Sequence, residues 1–199
     1  MNLPNQLTTL RILLTPVFAY VFFFPSLSAK IAALCLSLAC ELTDLLDGII
    51  ARRRNLITDF GKLVDPLADS ISRFTFTLCL VIAGWGQLWM LLILFYRDSF
   101  VATLRMFSAA NSIVMAARTS GKLKAICQFI VINLVLIFVV ADAWIAKRGS
   151  AFSIGGLEVT TGLLHRTGWW AMAIMAAVTA LSGVDYMFGA RETLRKLKM

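Results

Sequence analysis

The chain has 199 residues, of which 59% are hydrophobic and only 15% are charged, whereas a soluble globular domain carries about 25% charged and 45–50% apolar residues. This composition excludes a soluble enzyme, a disordered chain and a fibrous repeat, and it predicts a protein of the lipid bilayer. The 19 lysines and arginines outnumber the 11 aspartates and glutamates, giving a net charge of +8. Such a charge is typical of proteins that bind nucleic acid or a membrane surface. The apolar sequence favours the membrane, and we expect no nucleic-acid partner.

Six apolar stretches predict six transmembrane helices. In chain order they cover residues 7–24, 29–50, 60–83, 88–109, 123–145 and 165–188. The segment 147–162 contains Gly155-Gly156 and predicts a short hairpin or an irregular loop between the fifth and sixth helices. No composition shift or internal repeat divides the sequence, so we expect a single all-α membrane domain over residues 1–199.

The basic residues predict the orientation of these helices. With six spans both termini lie on one side, and that side carries most of the lysines and arginines, including Arg52–Arg54 and the C-terminal segment 191–198. The opposite side carries Lys30, Lys147, Arg148 and Arg166. Because cytoplasmic loops are enriched in basic residues, we expect a multi-pass protein of the cell inner membrane with both termini in the cytoplasm.

Four aspartates lie where the second and third spans meet the cytoplasm. Asp44 and Asp47 are three residues apart, and Asp65 and Asp69 are four apart, so each pair occupies one face of its helix. A short connection makes the two helices neighbours, and we expect the pairs to face each other. Carboxylates at membrane level cost roughly 2.5–3.5 kcal/mol each, and two divalent cations would neutralise all four. Oxygen ligands without cysteine or histidine favour Mg²⁺ or Mn²⁺ over Zn²⁺.

An acidic cluster of this kind can also arise without a catalytic role. Aspartates at such positions can cap helices or pair with neighbouring arginines, and we assign that structural role to Asp59. A cation transporter could use an acidic cluster as a transit site, but Gly48, Arg52 and Gly61 would have no role there. In an enzyme, glycines at these positions let a ligand approach the backbone closely, although close helix packing accounts for them as well.

The spacing D-x2-D-G-x2-A-R-x8-G-x3-D-x3-D resembles the signature of the CDP-alcohol phosphotransferase family of membrane enzymes. It is met by Asp44, Asp47, Gly48, Ala51, Arg52, Gly61, Asp65 and Asp69. The resemblance implies six helices around a polar cavity open to the cytoplasm, transfer of a phosphatidyl group from CDP-diacylglycerol to an acceptor hydroxyl with release of CMP, and a homodimer. It also implies that the four aspartates bind two metal ions, that Asp69 is the general base, and that Gly48, Arg52, Thr58 and Gly61 contact the CDP donor.

Three further segments resemble one branch of the family, the phosphatidylglycerophosphate synthases. The N-terminal segment matches P-N-x-L-T-x-x-R, which implies that Asn5, Thr8 and Arg11 lie near the CDP donor. Residues 97–105 match R-E-x5-L-R with Asp98 in place of glutamate. Residues 121–128 match G-K-x-K-T-x-x-Q with Ala125 in place of threonine, and Ser70 replaces the lysine usual after the last aspartate.

An acceptor that carries a phosphate needs cations of its own. Arg97 and Arg105 lie about 80° apart around a helix, in a span where an unpaired arginine is costly. The predicted acceptor-phosphate residues are Arg97, Arg105, Arg118, Lys122 and Lys124. Arg97 could instead pair with Asp98 or Asp142, and the others could be ordinary interfacial charge. We expect glycerol 3-phosphate as the acceptor, with inositol phosphate or another alcohol as the alternative, since neutral serine or inositol needs no cationic cluster.

Overall fold

The computed structural model describes residues 3–53, 59–110, 119–150, 152–154 and 157–197 of the chain. For residues 3–5, 7, 44–53, 59–66, 109–110, 152–154, 157 and 190–197 the description covers the backbone alone.

Six α-helices and one small hairpin make up this part of the chain. The helices are α1 (Leu3–Phe22), α2 (Leu27–Arg53), α3 (Asp59–Ile82), α4 (Leu88–Ala110), α5 (Thr119–Arg148) and α6 (Thr161–Leu197). Between α5 and α6, strands β1 (Phe152–Ile154) and β2 (Leu157–Val159) pair antiparallel, with Ser153 opposite Glu158. The hairpin prediction for this segment is confirmed.

The helices form a closed ring in the order α1, α3, α4, α6, α5, α2, and α3 also touches α5 across its interior. Contacts between helices show which ends lie together. Lys30 near the start of α2 binds the carbonyl of Phe22 at the end of α1, and Ser120 at the start of α5 binds Asp185 late in α6. Trp85, just after α3, stacks on His165 early in α6. Successive side-chain contacts show that α1 runs parallel to α3 and α4 runs parallel to α6. The first residues of α1, α3 and α5 therefore share one end of the bundle with the last residues of α2, α4 and α6. We call it the charged end, and the opposite end, which carries β1 and β2, the hairpin end.

The apolar core fills the half of the bundle nearer the hairpin end. Its largest side chains are buried and come from five helices: Phe18, Phe22, Phe76, Leu80, Met90, Ile132, Leu136, Met172 and Met175. The single histidine also lies at the hairpin end, where His165 stacks on Trp85 with ring centroids 3.9 Å apart. Gly168 permits this packing, because a Cβ there would lie 2.8 Å from the Trp85 ring.

The prediction of six helices in an all-α protein is confirmed, while the number that cross a membrane stays a prediction. In the described part of the chain, two helices are long and apolar enough to span a bilayer, α5 and residues 161–189 of α6, and Thr8–Phe22 of α1 is a shorter apolar helix. Helix α4 is also apolar, but it carries three charged residues, Arg97, Asp98 and Arg105. The helices also extend beyond the apolar stretches, since α6 continues to Leu197 through residues that form helix readily in water.

Candidate functional site at the charged end of the bundle

The interface between α1 and α3 changes from charged to apolar along its length. Nearest the charged end, Arg11 Nη1 donates to Asp69 Oδ1 at 2.9 Å. One turn deeper, the hydroxyls of Thr15 and Ser72 lie 2.9 Å apart. Deeper still, the rings of Phe18 and Phe76 pack with centroids 4.4 Å apart. The apolar contacts fix the two helices against each other, so the charged pair is held at a defined position.

Asp69 is bound through both of its oxygens. Arg11 on α1 holds Oδ1, and Arg73, one turn further along α3, holds Oδ2 with its Nη2 at 2.9 Å. The Arg11 side chain is only 2% exposed, whereas that of Asp69 is 29% exposed. The carboxylate therefore has a fixed orientation and remains partly open to a ligand. The sequence predicted both Arg11 and Asp69 as site residues, and the structure brings them into contact.

A surface depression lies beside this carboxylate. It is lined by residues of α1, α2 and α3, namely Arg11, Cys40, Glu41, Asp69, Ser72, Arg73 and Phe76. Glu41 and Arg73 were absent from the predicted site. The four-residue spacing from Asp69 to Arg73 is a recognisable ion-pair pattern on a helix, whereas Glu41 carries no comparable signal and joins the site only because α2 packs against α1.

Most of the predicted metal and donor residues are described at the backbone level only. Asp44, Asp47, Gly48 and Arg52 lie in the last part of α2, and Gly61 and Asp65 lie in the first part of α3, at the same end of the bundle as Asp69. Asn5 lies in the first turn of α1. The side chains among these, like the whole of Thr58, fall outside the described residues. Thr8 is buried one turn before Arg11.

A second charged group joins α4 to α5. The Lys124 ammonium lies 2.7 Å from both oxygens of Asp98, and Arg97 Nη1 donates to Asp98 Oδ1 at 3.0 Å. The side chains of Lys124 and Arg97 are only 4% and 10% exposed. Of the two candidate carboxylate partners of Arg97, the structure selects Asp98, because Asp142 lies near His165 at the hairpin end.

Helix α6 contacts both arginines of α4. Ser182 accepts a hydrogen bond of 2.7 Å from Arg97 Nη2, and the Tyr186 hydroxyl accepts one of 2.8 Å from Arg105 Nη2. Neither α6 residue was predicted, since both lie in a stretch that hydropathy alone assigns to the bilayer. We call Arg97, Asp98, Arg105 and Lys124 the cation cluster.

The cation cluster and the Asp69 group belong to one polar interior. Helix α3, which carries Asp69 and Arg73, touches α5, which carries Lys124. Two buried groups here have hydrogen-bonding capacity to spare. Arg97 Nε and both polar atoms of the Gln128 amide find no hydrogen-bond partner among the residues that the structure describes. Buried polar groups are nearly always satisfied by protein, water or ligand, so unused donors beside a charged group favour a ligand site.

One other predicted acceptor residue, Lys122, lies outside the cluster. Lys122 is exposed, and it lies on the opposite face of α5 from Lys124 because two residues turn a helix by about 200°. Arg118 is not among the described residues.

The fold and the site together define a class of protein. A ring of helices with an apolar outer surface holds carboxylates, guanidinium groups and an ammonium group in its interior at one end. Such an interior suits a substrate that carries phosphate groups and lipid chains together, since arginine and lysine bind phosphate and the apolar surface meets the bilayer.

The sequence model of the family "CDP-alcohol phosphatidyltransferase" matches residues 1–179, and the chain belongs to this family. It is 34% identical over 148 residues to the CDP-diacylglycerol–glycerol-3-phosphate 3-phosphatidyltransferase of Bacillus subtilis, a match that covers 68% of this chain and 77% of the other. The enzyme of the same description from Rickettsia typhi is 35% identical over 137 residues, covering 68% and 76%. A probable phosphatidylglycerophosphate synthase of Mycobacterium tuberculosis is 28% identical over 189 residues, covering 94% and 80%.

Family membership makes this chain a transferase and decides against the cation transporter. The resemblance of its aspartate spacing to the family signature is thereby confirmed.

Proposed function

We propose that the chain transfers the phosphatidyl group of CDP-diacylglycerol to a hydroxyl of glycerol 3-phosphate, giving phosphatidylglycerol phosphate and CMP. Family membership supports the donor and the type of reaction. The relatives from Bacillus subtilis and Rickettsia typhi, whose names specify glycerol 3-phosphate, support the acceptor.

The observation that carries the acceptor assignment is the excess of positive charge in the cation cluster. Lys124 and Arg97 are almost fully buried, and they share the single carboxylate of Asp98. A buried cation without a matching anion is costly, and Arg105 adds a third positive charge nearby. The acceptor's phosphate supplies the missing negative charge, and arginine Nη and Nε groups match phosphate oxygens in geometry. Serine or free inositol would leave the excess unbalanced.

Four aspartates would hold two divalent ions, Mg²⁺ or Mn²⁺. The donor chemistry fits these metals, since every member of the set offers carboxylate oxygens, and Asp44, Asp47 and Asp65 lie at the same end of the bundle as Asp69. When bound, such ions would neutralise the pyrophosphate of the donor and the charge that develops on the leaving CMP.

The protein's own residues would carry out the remaining tasks. The acceptor hydroxyl oxygen attacks the phosphorus of the phosphatidyl group, the bond from phosphorus to the CMP oxygen breaks, and the hydroxyl proton passes to Asp69. A carboxylate is a weak base toward an alcohol, so it accepts the proton only as the transition state develops and must be held within hydrogen-bond reach. Arg11 and Arg73 fix its two oxygens for this role. The residues proposed to contact the CDP donor are Asn5, Thr8, Arg11, Gly48, Arg52, Thr58 and Gly61.

An acceptor panel tests this proposal. With CDP-diacylglycerol, Mg²⁺ and purified protein in detergent, we expect CMP release with glycerol 3-phosphate, and at least about 100-fold less with inositol or serine, because an unpaired buried charge penalises a neutral acceptor. Chelation of the divalent ions should abolish release. Efficient turnover of inositol phosphate, with glycerol 3-phosphate inactive, would assign the chain to the alternative acceptor. Absence of CMP release with every acceptor would contradict the reaction itself.

We further propose that all six helices cross the cell inner membrane, with both termini in the cytoplasm, and that the protein acts as a homodimer. Every helix exposes large apolar side chains, for which the bilayer is the matching solvent; one from each is Leu13, Leu38, Ile82, Met106, Leu123 and Leu181. The charged end would face the cytoplasm, where the water-soluble acceptor is found.

Reporter fusions test the orientation. A reporter that is active only outside the cytoplasm should be active when fused after Gly149, next to the hairpin, and inactive when fused after Met199. The reverse pattern would contradict the orientation, and activity at both sites would contradict the crossing of the membrane by α6, which lies between them.

A further inference from the structure

We infer that Tyr186 is a positioning residue for the acceptor's phosphate, holding Arg97 and Arg105 in the orientation that binds it. This inference rests on the proposed function. Tyr186 lies beyond the segment 1–179 that the family model matches and outside the motifs at residues 5–11, 97–105 and 121–128.

Tyr186 contacts both arginines in two different ways. Its hydroxyl accepts the hydrogen bond from Arg105 Nη2 at 2.8 Å. Its ring lies beneath both guanidinium groups, with the Cζ atoms of Arg97 and Arg105 at 5.1 and 5.6 Å from the ring centroid. A cation within about 6 Å of an aromatic face is attracted by the ring's quadrupole. One side chain of α6 therefore restrains two side chains of α4.

The tyrosine itself is rigidly held. It is only 1% exposed, and its hydroxyl end abuts the first turn of α5, where a Cβ at Gly121 would lie 2.9 Å from the Tyr186 oxygen. On the neighbouring turn of α6, Ser182 binds Arg97 Nη2 at 2.7 Å, and a Cβ at Gly183 would lie 3.1 Å from Arg97 Cγ. Small residues at 182 and 183 thus bring α6 close to the Arg97 side chain, and the ring at 186 supports its charged group.

This arrangement matters because a free arginine side chain has many rotamers. Fixing a long side chain upon binding costs entropy that weakens affinity, and a support that fixes it beforehand removes that cost. Arg105 illustrates the need, since it is an exposed residue whose guanidinium is tethered by the Tyr186 hydroxyl. Arg97 keeps its Nε donor without a partner among the described residues, so the restraint leaves a donor available to a phosphate oxygen. Tyr186 acts on the acceptor only through these arginines.

Tyr186→Phe is the direct test, because it removes the hydroxyl and keeps the ring. We expect the KM for glycerol 3-phosphate to rise about 10-fold, while kcat and the KM for CDP-diacylglycerol stay within about twofold of wild type. Ser182→Ala, which removes a hydrogen bond to Arg97, should shift the same constant in the same direction. Tyr20→Phe is the matched control, since Tyr20 is exposed on α1, and it should change none of the three constants.

The outcomes separate this inference from the proposed function. If wild type uses glycerol 3-phosphate and Tyr186→Phe leaves its KM unchanged, the positioning role is wrong and the proposed function stands. If Tyr186→Phe lowers kcat, raises both KM values and lowers the Tm, Tyr186 serves only folding and the inference is overturned. If wild type instead prefers another phosphorylated acceptor, glycerol 3-phosphate is wrong, and a KM increase for that acceptor in Tyr186→Phe still supports the positioning role.

Discussion

Replacing Asp69 with asparagine or alanine is expected to lower kcat by about 1,000-fold or more, because the carboxylate is both the proposed proton acceptor and a proposed metal ligand. Asparagine keeps the shape of the side chain, but its single carbonyl oxygen can replace only one of the two oxygens that Arg11 and Arg73 bind at 2.9 Å, because its amide nitrogen is a donor. It removes the negative charge and the basic oxygen pair. The measurement is CMP release under saturating CDP-diacylglycerol, glycerol 3-phosphate and Mg²⁺.

Folding has to be monitored in the same variants. Asp69→Ala removes an ion-pair partner from Arg11, whose side chain is almost fully buried, and loss of one partner of a buried pair typically destabilises by about 3–5 kcal/mol. The Tm in detergent therefore distinguishes lost chemistry from lost structure, and Asp69→Asn should lie closer to wild type than Asp69→Ala. Glu158→Gln, an exposed site on β2 at the hairpin end, is the control and should retain full activity. An Asp69→Asn protein with more than a tenth of wild-type kcat would contradict the general-base role.

Replacing Lys124 with methionine is expected to raise the KM for glycerol 3-phosphate roughly 10- to 100-fold, the effect of losing a charged contact to the acceptor. Methionine retains much of the apolar length of lysine without its charge, and this matters for a side chain that is 4% exposed. The KM for CDP-diacylglycerol should change by less than about twofold, because the residues proposed to contact the donor belong to the segment from α1 to α3 and not to α5. The ratio of kcat/KM for glycerol 3-phosphate to kcat/KM for glycerol should fall as well, because the lost charge no longer favours the phosphorylated acceptor.

Lys147→Met is the matched control for this variant. Lys147 lies on the same helix, α5, but is exposed in its last turn at the hairpin end, so its removal should leave both KM values unchanged. If Lys124→Met leaves the KM for glycerol 3-phosphate unchanged and raises the KM for CDP-diacylglycerol, the proposal that Lys124 binds the acceptor is wrong. Lys124 would then be assigned to the binding of the donor.

The elements of the fold and the chemistry of the site could be predicted from the sequence. Stretches of about 20 apolar residues define helices by length alone, and α4, predicted over residues 88–109, spans Leu88–Ala110. The aspartate spacing identified the family, because those residues lie within one continuous stretch of 26 residues and their chemistry needs no knowledge of other helices. Local pairs were equally accessible: Arg73 lies four residues after Asp69 and binds it.

Pairs between distant helices could not be predicted. The bond from Arg11 to Asp69 depends on how α1 and α3 are rotated and at what depth they meet. The choice of Asp98 over Asp142 as the partner of Arg97 also depends on the tertiary structure, since Asp142 lies near His165 at the hairpin end. The contacts of Tyr186 with Arg97 and Arg105 could not be predicted either, because a tyrosine in an apolar stretch is also compatible with a membrane interface.

The physical reason lies in the solvent. In a water-soluble helix the polar face marks the outside, and the periodicity of apolar residues orients the helix. In this chain the surface is as apolar as the core: α5 buries Ile132 and Leu136 and exposes Leu123 and Ile137, so its pattern does not tell inside from outside. The sequence by itself therefore determined the helices, the apolar surface and the family of the reaction. Only the tertiary structure decided which of the few charged side chains contact each other. The inner faces of these helices are distinguished by their buried ion pairs and hydrogen bonds and not by their hydropathy.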